Sequence, residues 1–438
     1  MSPFELAAAS GVLILFLYAV KNRRRGKLPP SPPSLPFLGH LHLIGRLAHR
    51  SFHELQLRYG GGDGLLLLQL GRRRTLVVST AAAAAYLFRN HDLAFASRPR
   101  SMNADKLMYG CRNVSFAPYG EEWRRGKKAA TVHLLSPRRV DSLAPVRAAE
   151  VAALVARARA AAEAGEAVEL RALLYGYWPE DLLPDAAARV VRWATGLEKK
   201  LDCIAEEWDK FLSEMLAAHV EKWADGAEGE EEDFIGVLLR LRREGADGLE
   251  LTDDRIKATV KNMIVAATET SSHTLEWAMA ELVANPRVLR LHAPAPLLVP
   301  HESTTPAIVQ GYEIPAKTAL FVNVWAIGRD PAAWDAPEEF RPERFVGGGA
   351  PTVDFRGTDY QLIPFGAGRR ICPGINFALP ILELALAGLL RHFDWELPGG
   401  MRPADLDMVE APGLTAPRRV PLVLVPKRKG TLAPPALQ

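Results

Sequence analysis

One cysteine stands in a setting that could do chemistry. Phe365-Gly-Ala-Gly368-Arg-Arg370-Ile-Cys372-Pro-Gly374 puts a thiol two residues after an arginine and between glycines. Taken alone, Cys372 could be an inert core residue, a nucleophile or a ligand. The glycines four residues before it and two after it permit turns that other residues resist, and let the backbone approach a flat bound object. Arg370 can pair with a carboxylate, and the ring of Phe365 can cover the sulfur. The run INFALPILELALAGLLRHF predicts a helix starting just after the cysteine. Its first amides would point at a thiolate and stabilise it. Such parts suit a thiolate ligand in an apolar pocket.

A second constellation lies further back. LTDDRIKATVKNMIVAATETSSHTLEWAMAELVANP, residues 251–286, predicts one long helix with Thr252 or Asp253 as N-cap. Its apolar middle holds Ala266-Ala-Thr-Glu269-Thr270-Ser271. A carboxylate and hydroxyls inside a buried helix are costly unless partnered. Threonine can also bond back to the preceding turn and loosen the helix. A solvated polar patch is the plainer reading of this segment on its own.

The scaffold for these groups is read from patterning. At 438 residues and 48% hydrophobic, the chain can bury a large core. A formal charge of +3 gives no case for nucleic acid as a partner. Cys111, Cys203 and Cys372 are too few and scattered for a disulfide framework, and they form no zinc-type spacing. Phe4 to Val20 is an apolar stretch with one charge, Glu5, followed by the basic KNRRRGK. It predicts a membrane anchor with the remaining chain in the cytosol. Five prolines between residues 29 and 37 predict a stiff extended spacer. LLLLQL and TLVVS, residues 65–70 and 75–79, read as a strand pair. From about 81 to 290 the pattern is mostly helical, with an acidic loop at 224–233. Short strands and one more helix follow. The fold class expected is α+β, mainly α.

The cysteine segment matches F-x-x-G-x-R-x-C-x-G at every fixed position, and so resembles the haem-binding signature of the cytochromes P-450. The resemblance implies haem b as cofactor, with Phe365, Gly368, Arg370 and Gly374 at the haem and Cys372 as axial thiolate. Electron donation from that thiolate favours O–O cleavage. Residues 266–271 are similar to the family's A/G-G-x-D/E-T-T/S segment, with Ala267 where glycine is usual. This implies Thr270 as the hydroxyl that hydrogen-bonds the oxygen being activated, and Glu269 as the acid feeding protons inward. FAPYGEEWRRGKK, residues 116–128, is similar to the W-x-x-x-R helix, with Trp123 and Lys127 on its fixed positions. Lysine in place of arginine keeps the charge of a propionate partner and loses its fork. VPHES, residues 299–303, resembles the strand that supplies a further propionate contact, here His301. FRPERF, residues 340–345, resembles the PERF segment, giving Arg344 to a structural charge cluster.

The family's fold is a haem-containing helical core with small β-sheets and, in the microsomal class, an N-terminal transmembrane anchor helix. The expected division is anchor and basic stop 1–27, proline-rich hinge 28–45, haem-thiolate domain 46–429 and tail 430–438. One element of the resemblance breaks. Arg290 takes the arginine position of the family's E-x-x-R helix, but Arg287 stands where its glutamate belongs. Arg290 and Arg344 then lack their shared anion, and a helix pair is expected to be missing near 286–292. A further shortening is expected near 177–178.

The function implied is a haem-thiolate monooxygenase, of the plant microsomal type associated with secondary metabolism. It would oxidise an apolar small molecule with O2 and electrons from an NADPH-dependent flavoprotein reductase. Arg124, Arg125, Lys127, Lys128 and Arg369 form either a docking face for that reductase or a solvated face. The implied location is the endoplasmic reticulum membrane, spanned once and touching lipid through the N-terminal helix, with the catalytic domain cytosolic. Two alternatives stand beside it: a truncated, non-catalytic family member, and a haem-thiolate isomerase or dehydratase needing no reductase. The Glu269–Thr270 pair speaks against the latter.

Overall fold

The computed structural model describes residues 27–175, 197–224, 233–245, 248–284, 291–339 and 353–429. The expected anchor at 4–20, Arg287, Arg290, Arg344, the joins near 177–178 and 286–290, most of the acidic loop and the tail lie outside the described residues. After the proline spacer come α1 (Ala48–Tyr59) and an antiparallel hairpin, β1 (Leu65–Leu70) and β2 (Arg73–Val78). Leu65 pairs with Val78 and Leu70 with Arg73. The turn places Gly71 at φ +57°, where a side chain would be strained. α2 (Ala81–His91) follows because Thr80 Oγ1 accepts from the Ala83 amide at 3.2 Å and an alanine run propagates the helix.

Helices then dominate: α3 (Met102–Leu107), α4 (Glu121–Ala129), α5 (Ala144–Ala164), α6 (Leu170–Tyr175), α7 (Leu197–Ala224), α8 (Phe234–Glu244) and the long α9 (Asp253–Ala284). α9 begins where Thr252 Oγ1 accepts from the Arg255 amide at 3.3 Å, with Asp253 and Asp254 in the first turn. The second half contributes β3 (His301–Glu302), β4 (Ala319–Val322), α10 (Ile375–His392), β5 (Phe393–Glu396) and β6 (Val423–Arg428). β4 runs parallel to β2, and β3 pairs antiparallel with β4, opposing His301 to Leu320. That four-stranded sheet sets the His301 position.

Leu154, Val155 and Ala158 of α5, Leu170 and Leu173 of α6, Met279 and Ala280 of α9, and Ala385 and Leu389 of α10 share one buried core. α10 is long and apolar enough to cross a membrane, with a mean hydropathy of 1.3. Its contacts in this core mark it as a helix of the bundle. The sheet builds a second core from Leu76, Val78, Leu320 and Val322 against Leu87 and Phe88 of α2. Helical bundle plus small sheets is the α+β, mainly α class read from the sequence.

Candidate haem-thiolate site

The cysteine loop is shaped by its glycines and closed by backbone bonds. Gly368 has φ +66°, and a Cβ there would fall 2.3 Å from Asp92 Oδ1. Only glycine lets Asp92 come that close. Asp92 accepts from the Arg369 backbone amide at 3.1 Å and pairs with its guanidinium at 3.2 Å. The Cys372 amide donates to the Phe365 carbonyl at 2.9 Å, and the Gly374 amide donates to Cys372 Sγ at 3.4 Å. α10 starts at the next residue, so the sulfur sits at a helix N-terminus as expected. Burial pushes the Cys372 thiol up, against the pull of the Gly374 amide and the Lys127 ammonium. A bound metal cation reverses that balance and takes the thiolate. The Phe365 ring lies 6.2 Å from the Phe355 ring.

Around this loop, buried cations gather. Arg370 is 8% exposed and donates to the carbonyls of Ala96 at 2.6 Å, Ala117 at 2.7 Å and Val114 at 3.2 Å. Its guanidinium lies 4.0 Å from the Trp123 ring, and the Trp123 indole donates to Val114 O at 3.0 Å. The Lys127 ammonium donates to Arg369 O. His301 is buried, with Nδ1 2.9 Å from Phe95 O. Burial first, then the charges of Arg98 and Arg370, push the His301 imidazole well below its ordinary value.

Arg98 is a residue that motif reading missed. It donates to the carbonyls of Ser115 at 3.0 Å, Val299 at 2.6 Å and Pro300 at 2.9 Å, and is 6% exposed. Burial, then Arg370, push its guanidinium well down. A guanidinium does not surrender its proton in a protein, so the penalty appears as a demand for negative charge. Among the described residues, no carboxylate pairs with Arg98 or Arg370. A haem carrying two propionates beside a thiolate ligand supplies that charge, so the residues present fit the group.

α9 carries the second constellation. The Thr270 hydroxyl donates to Ala266 O at 2.6 Å, the bond back to the preceding turn read from the sequence. Glu269 Oε1 accepts from the Thr415 hydroxyl at 3.1 Å. Burial raises the Glu269 carboxyl, and the Thr415 bond offsets part of the rise. A cleft of about 380 Å³ opens beside Trp123, Leu238, Arg255 and Thr259, and its lining does not include Cys372, Glu269 or Thr270.

The basic set is less free than its sequence suggested. Arg124 and Arg125 both pair with Glu121, Arg125 also reaches Gly248 O, and Arg369 is held by Asp92. Lys127 points into the cysteine loop rather than outward.

Beyond α9 a different network fills the core. Glu276 is fully buried, paired with Arg171 at 3.0 Å and accepting from the Leu422 amide at 2.9 Å. Glu281 accepts from His292 at 2.6 Å, and His292 stacks on Trp277 with ring centroids 3.8 Å apart. Glu410 Oε2 meets His49 at 3.0 Å and Arg50 at 2.8 Å, while Oε1 accepts from Trp325 Nε1 at 3.0 Å. Burial alone would raise Glu410, but His49 and Arg50 hold it down at about 2.

A thiol at a helix N-terminus, ringed by buried cations inside a helical bundle, defines a haem-thiolate protein. The pattern of the Cytochrome P450 family matches residues 29–180, 183–289 and 288–420, and the chain belongs to that family. It is 38% identical to Cytochrome P450 71A9 of Glycine max over 92% of this chain and 93% of the relative. It is 35% identical to the 4-hydroxyphenylacetaldehyde oxime monooxygenase of Sorghum bicolor, over 95% of this chain and 94% of the relative. Its backbone resembles that of a zebra fish cytochrome P450 solved with abiraterone, with a TM-score of 0.73 at 22% identity, over 87% of this chain and 100% of that one. The cofactor is haem with Cys372 as axial thiolate, and the general activity is haem-thiolate monooxygenation of a small molecule with a reductase as redox partner.

Proposed function

We propose that this chain oxidises an apolar small molecule with O2, drawing electrons from NADPH through a flavoprotein reductase. The observation that carries the reading is the pairing of Cys372, with the Gly374 amide on its sulfur, and the anion-seeking cations Arg98 and Arg370, with the buried His301 ring beside them. Arg98, Arg370, His301 and Lys127 would hold the propionates, and Trp123 supports Arg370 from below. Haem, when bound, supplies the dioxygen-splitting redox chemistry. The protein's own share is protonic. Glu269, its carboxyl raised by burial, is placed to give a proton inward, and its bond from Thr415 orients it. The Thr270 hydroxyl keeps acceptor capacity beyond its bond to Ala266 O, so it can pass that proton on.

The apolar 4–20 stretch supports a single-pass anchor in the endoplasmic reticulum membrane. Leu35, Phe37, Leu38 and Leu41 add an exposed apolar patch within the proline-rich hinge, with Phe37 94% exposed. Reductase docking rests on the exposed guanidinium groups of Arg124, Arg125 and Arg369. Raised ionic strength should slow reduction; a rate indifferent to salt would remove the docking idea.

A second reading has its own support. Arg287 occupies the E-x-x-R glutamate position, and the family pattern matches in three pieces that join at 180–183 and 288–289. The alignment to the Glycine max protein runs over 476 positions, more than this 438-residue chain contains. The second join falls within the stretch read as lost and the first lies a few residues after the other, which supports a shortened chain that retains the motif without the enzyme.

The ferrous–carbon monoxide spectrum separates the two readings. A red-shifted, thiolate-type Soret band that disappears in Cys372→Ala is the expected result. A band at the histidine-haem position, or no haem uptake, would establish the non-catalytic reading.

A further inference from the structure

A second cavity lies away from the cysteine loop. It measures about 390 Å³, between α7, the end of α3 and α9, and is bordered by Lys106, Tyr109, Glu206, Asp209, Lys210 and Lys261. Lys261 is nine residues before Thr270 on α9. At about 100° per residue it projects to the opposite side of that helix. This cavity is therefore distinct from the one that Thr270 serves.

The side chains around it are matched, with one exception. Lys106 pairs with Asp202 at 2.5 Å. Asp209 Oδ1 accepts from Lys257 at 2.5 Å and from the Tyr109 hydroxyl at 2.9 Å. Lys261 is 3% exposed, and its ammonium rests 4.8 Å from the Trp208 ring without a hydrogen-bond acceptor among the described residues. An ammonium has three donors and no acceptor, and this one, at the edge of the cavity, has no protein oxygen opposite it. The cavity provides room for a ligand oxygen. Of its five charged border residues three are lysines, and both acidic ones, Glu206 and Asp209, lie on α7.

We propose that this cavity binds a small organic carboxylate, whose anionic end meets Lys261 and whose apolar body lies along Leu107 and Ala205. The site needs no haem. Asp209 is already engaged by Lys257 and Tyr109 and makes no hydrogen bond to Lys261 among the described residues. Lys261 itself is pushed down to about 8, by burial first, with Asp209 opposing. Asp209 stays ionised far below that pH, because Lys257 and Tyr109 lower its carboxyl, and burial raises the Tyr109 hydroxyl out of range above it.

The test is isothermal titration calorimetry of the full chain with 4-phenylbutanoate and with its neutral amide, 4-phenylbutanamide. The acid should bind at least tenfold more tightly at pH 7, and the preference should fade as pH rises through 8. Lys261→Met should abolish the preference and Lys261→Arg should keep it. Lys261→Met removes a buried unpaired charge, so its thermal unfolding should not fall below that of the parent. Equal binding of acid and amide, no binding of either, or a preference that survives Lys261→Met would overturn the proposal. None of these readings depends on the carbon monoxide spectrum, so this site and the haem-thiolate site stand or fall separately.

Discussion

The cysteine loop and the core beyond α9 bury charge in opposite ways. Near Cys372 the buried groups are cations, and Arg98 and Arg370 find only backbone carbonyls. Beyond α9 the buried carboxylates are each met by a basic side chain, Glu276 by Arg171, Glu281 by His292, Glu410 by His49 and Arg50, and the buried Arg418 lies in the field of Glu276 and Asp407. The second region is electrically complete as a bare polypeptide. The first is complete only with an anionic ligand in place. A buried charge left without a counter-charge costs several kcal/mol, so the first region should depend on haem for its stability and the second should not.

The largest effect expected is at Arg98. Arg98→Met leaves the carbonyls of Ser115, Val299 and Pro300 without a donor, at about 1–3 kcal/mol for each buried unsatisfied group. Haem content per chain should fall at least tenfold, read from the pyridine haemochrome. The same variant should lose the extra amide protection that haem confers on residues 91–120 in hydrogen exchange. Unchanged haem content would mean that Arg98 is a structural clamp and that the cation cluster does not call for propionates.

The next effect sharpens the other side of the comparison. Glu410 sits near 2 in the folded chain against an ordinary 4.5, and it is 4% exposed. Its folded value is depressed, so its contribution is full above pH 4.5 and is lost as pH falls towards 2. At about 1.4 kcal/mol for each tenfold step, the contribution at pH 7 is on the order of 3 kcal/mol. Glu410→Gln should therefore lower the urea stability by about that amount at pH 7, and by clearly less at pH 3. Haem addition should not restore it. A deficit that stays constant with pH would show that packing, not charge, is what Glu410 contributes.

The two regions were not equally legible in the sequence. The cysteine loop and residues 266–271 are contiguous, so their chemistry is written in one short stretch each, and the helices that carry them follow from local periodicity and capping. Trp123, Lys127 and His301 were legible only through family resemblance, since nothing in their own neighbourhoods announces a ligand. Arg98 and Asp92 gave no signal because their roles depend on segments that the chain brings back more than 200 residues later. Glu410 is 361 residues from His49, and no pattern in the sequence links a proline-flanked loop to α1. Arg287 at the position of the E-x-x-R glutamate could be read from the sequence, whereas the pairing of the carboxylates in the core beyond α9 could not. Burial and pairing across long separations are settled by packing, which a linear pattern does not encode.

The smallest effect tests whether the two regions are independent. Trp277 is buried on α9, donates to Ala416 O at 2.9 Å and stacks on His292 almost parallel, at 3°. Trp277→Phe keeps an aromatic face for His292 but removes the indole donor, leaving the Ala416 carbonyl unpaired. The expected cost is about 1–2 kcal/mol in urea unfolding. Trp277 lies seven residues beyond Thr270, and seven residues of helix return to nearly the same side. The substitution therefore disturbs the stripe that carries Thr270, two turns along, without touching any residue of the cysteine loop. If the regions are separate, the thiolate-type carbon monoxide band should keep its position and its yield per haem. If the band instead shifts towards the histidine-haem position, α9 transmits strain from the repacked core to the iron. The complete region would then be a condition for the incomplete one.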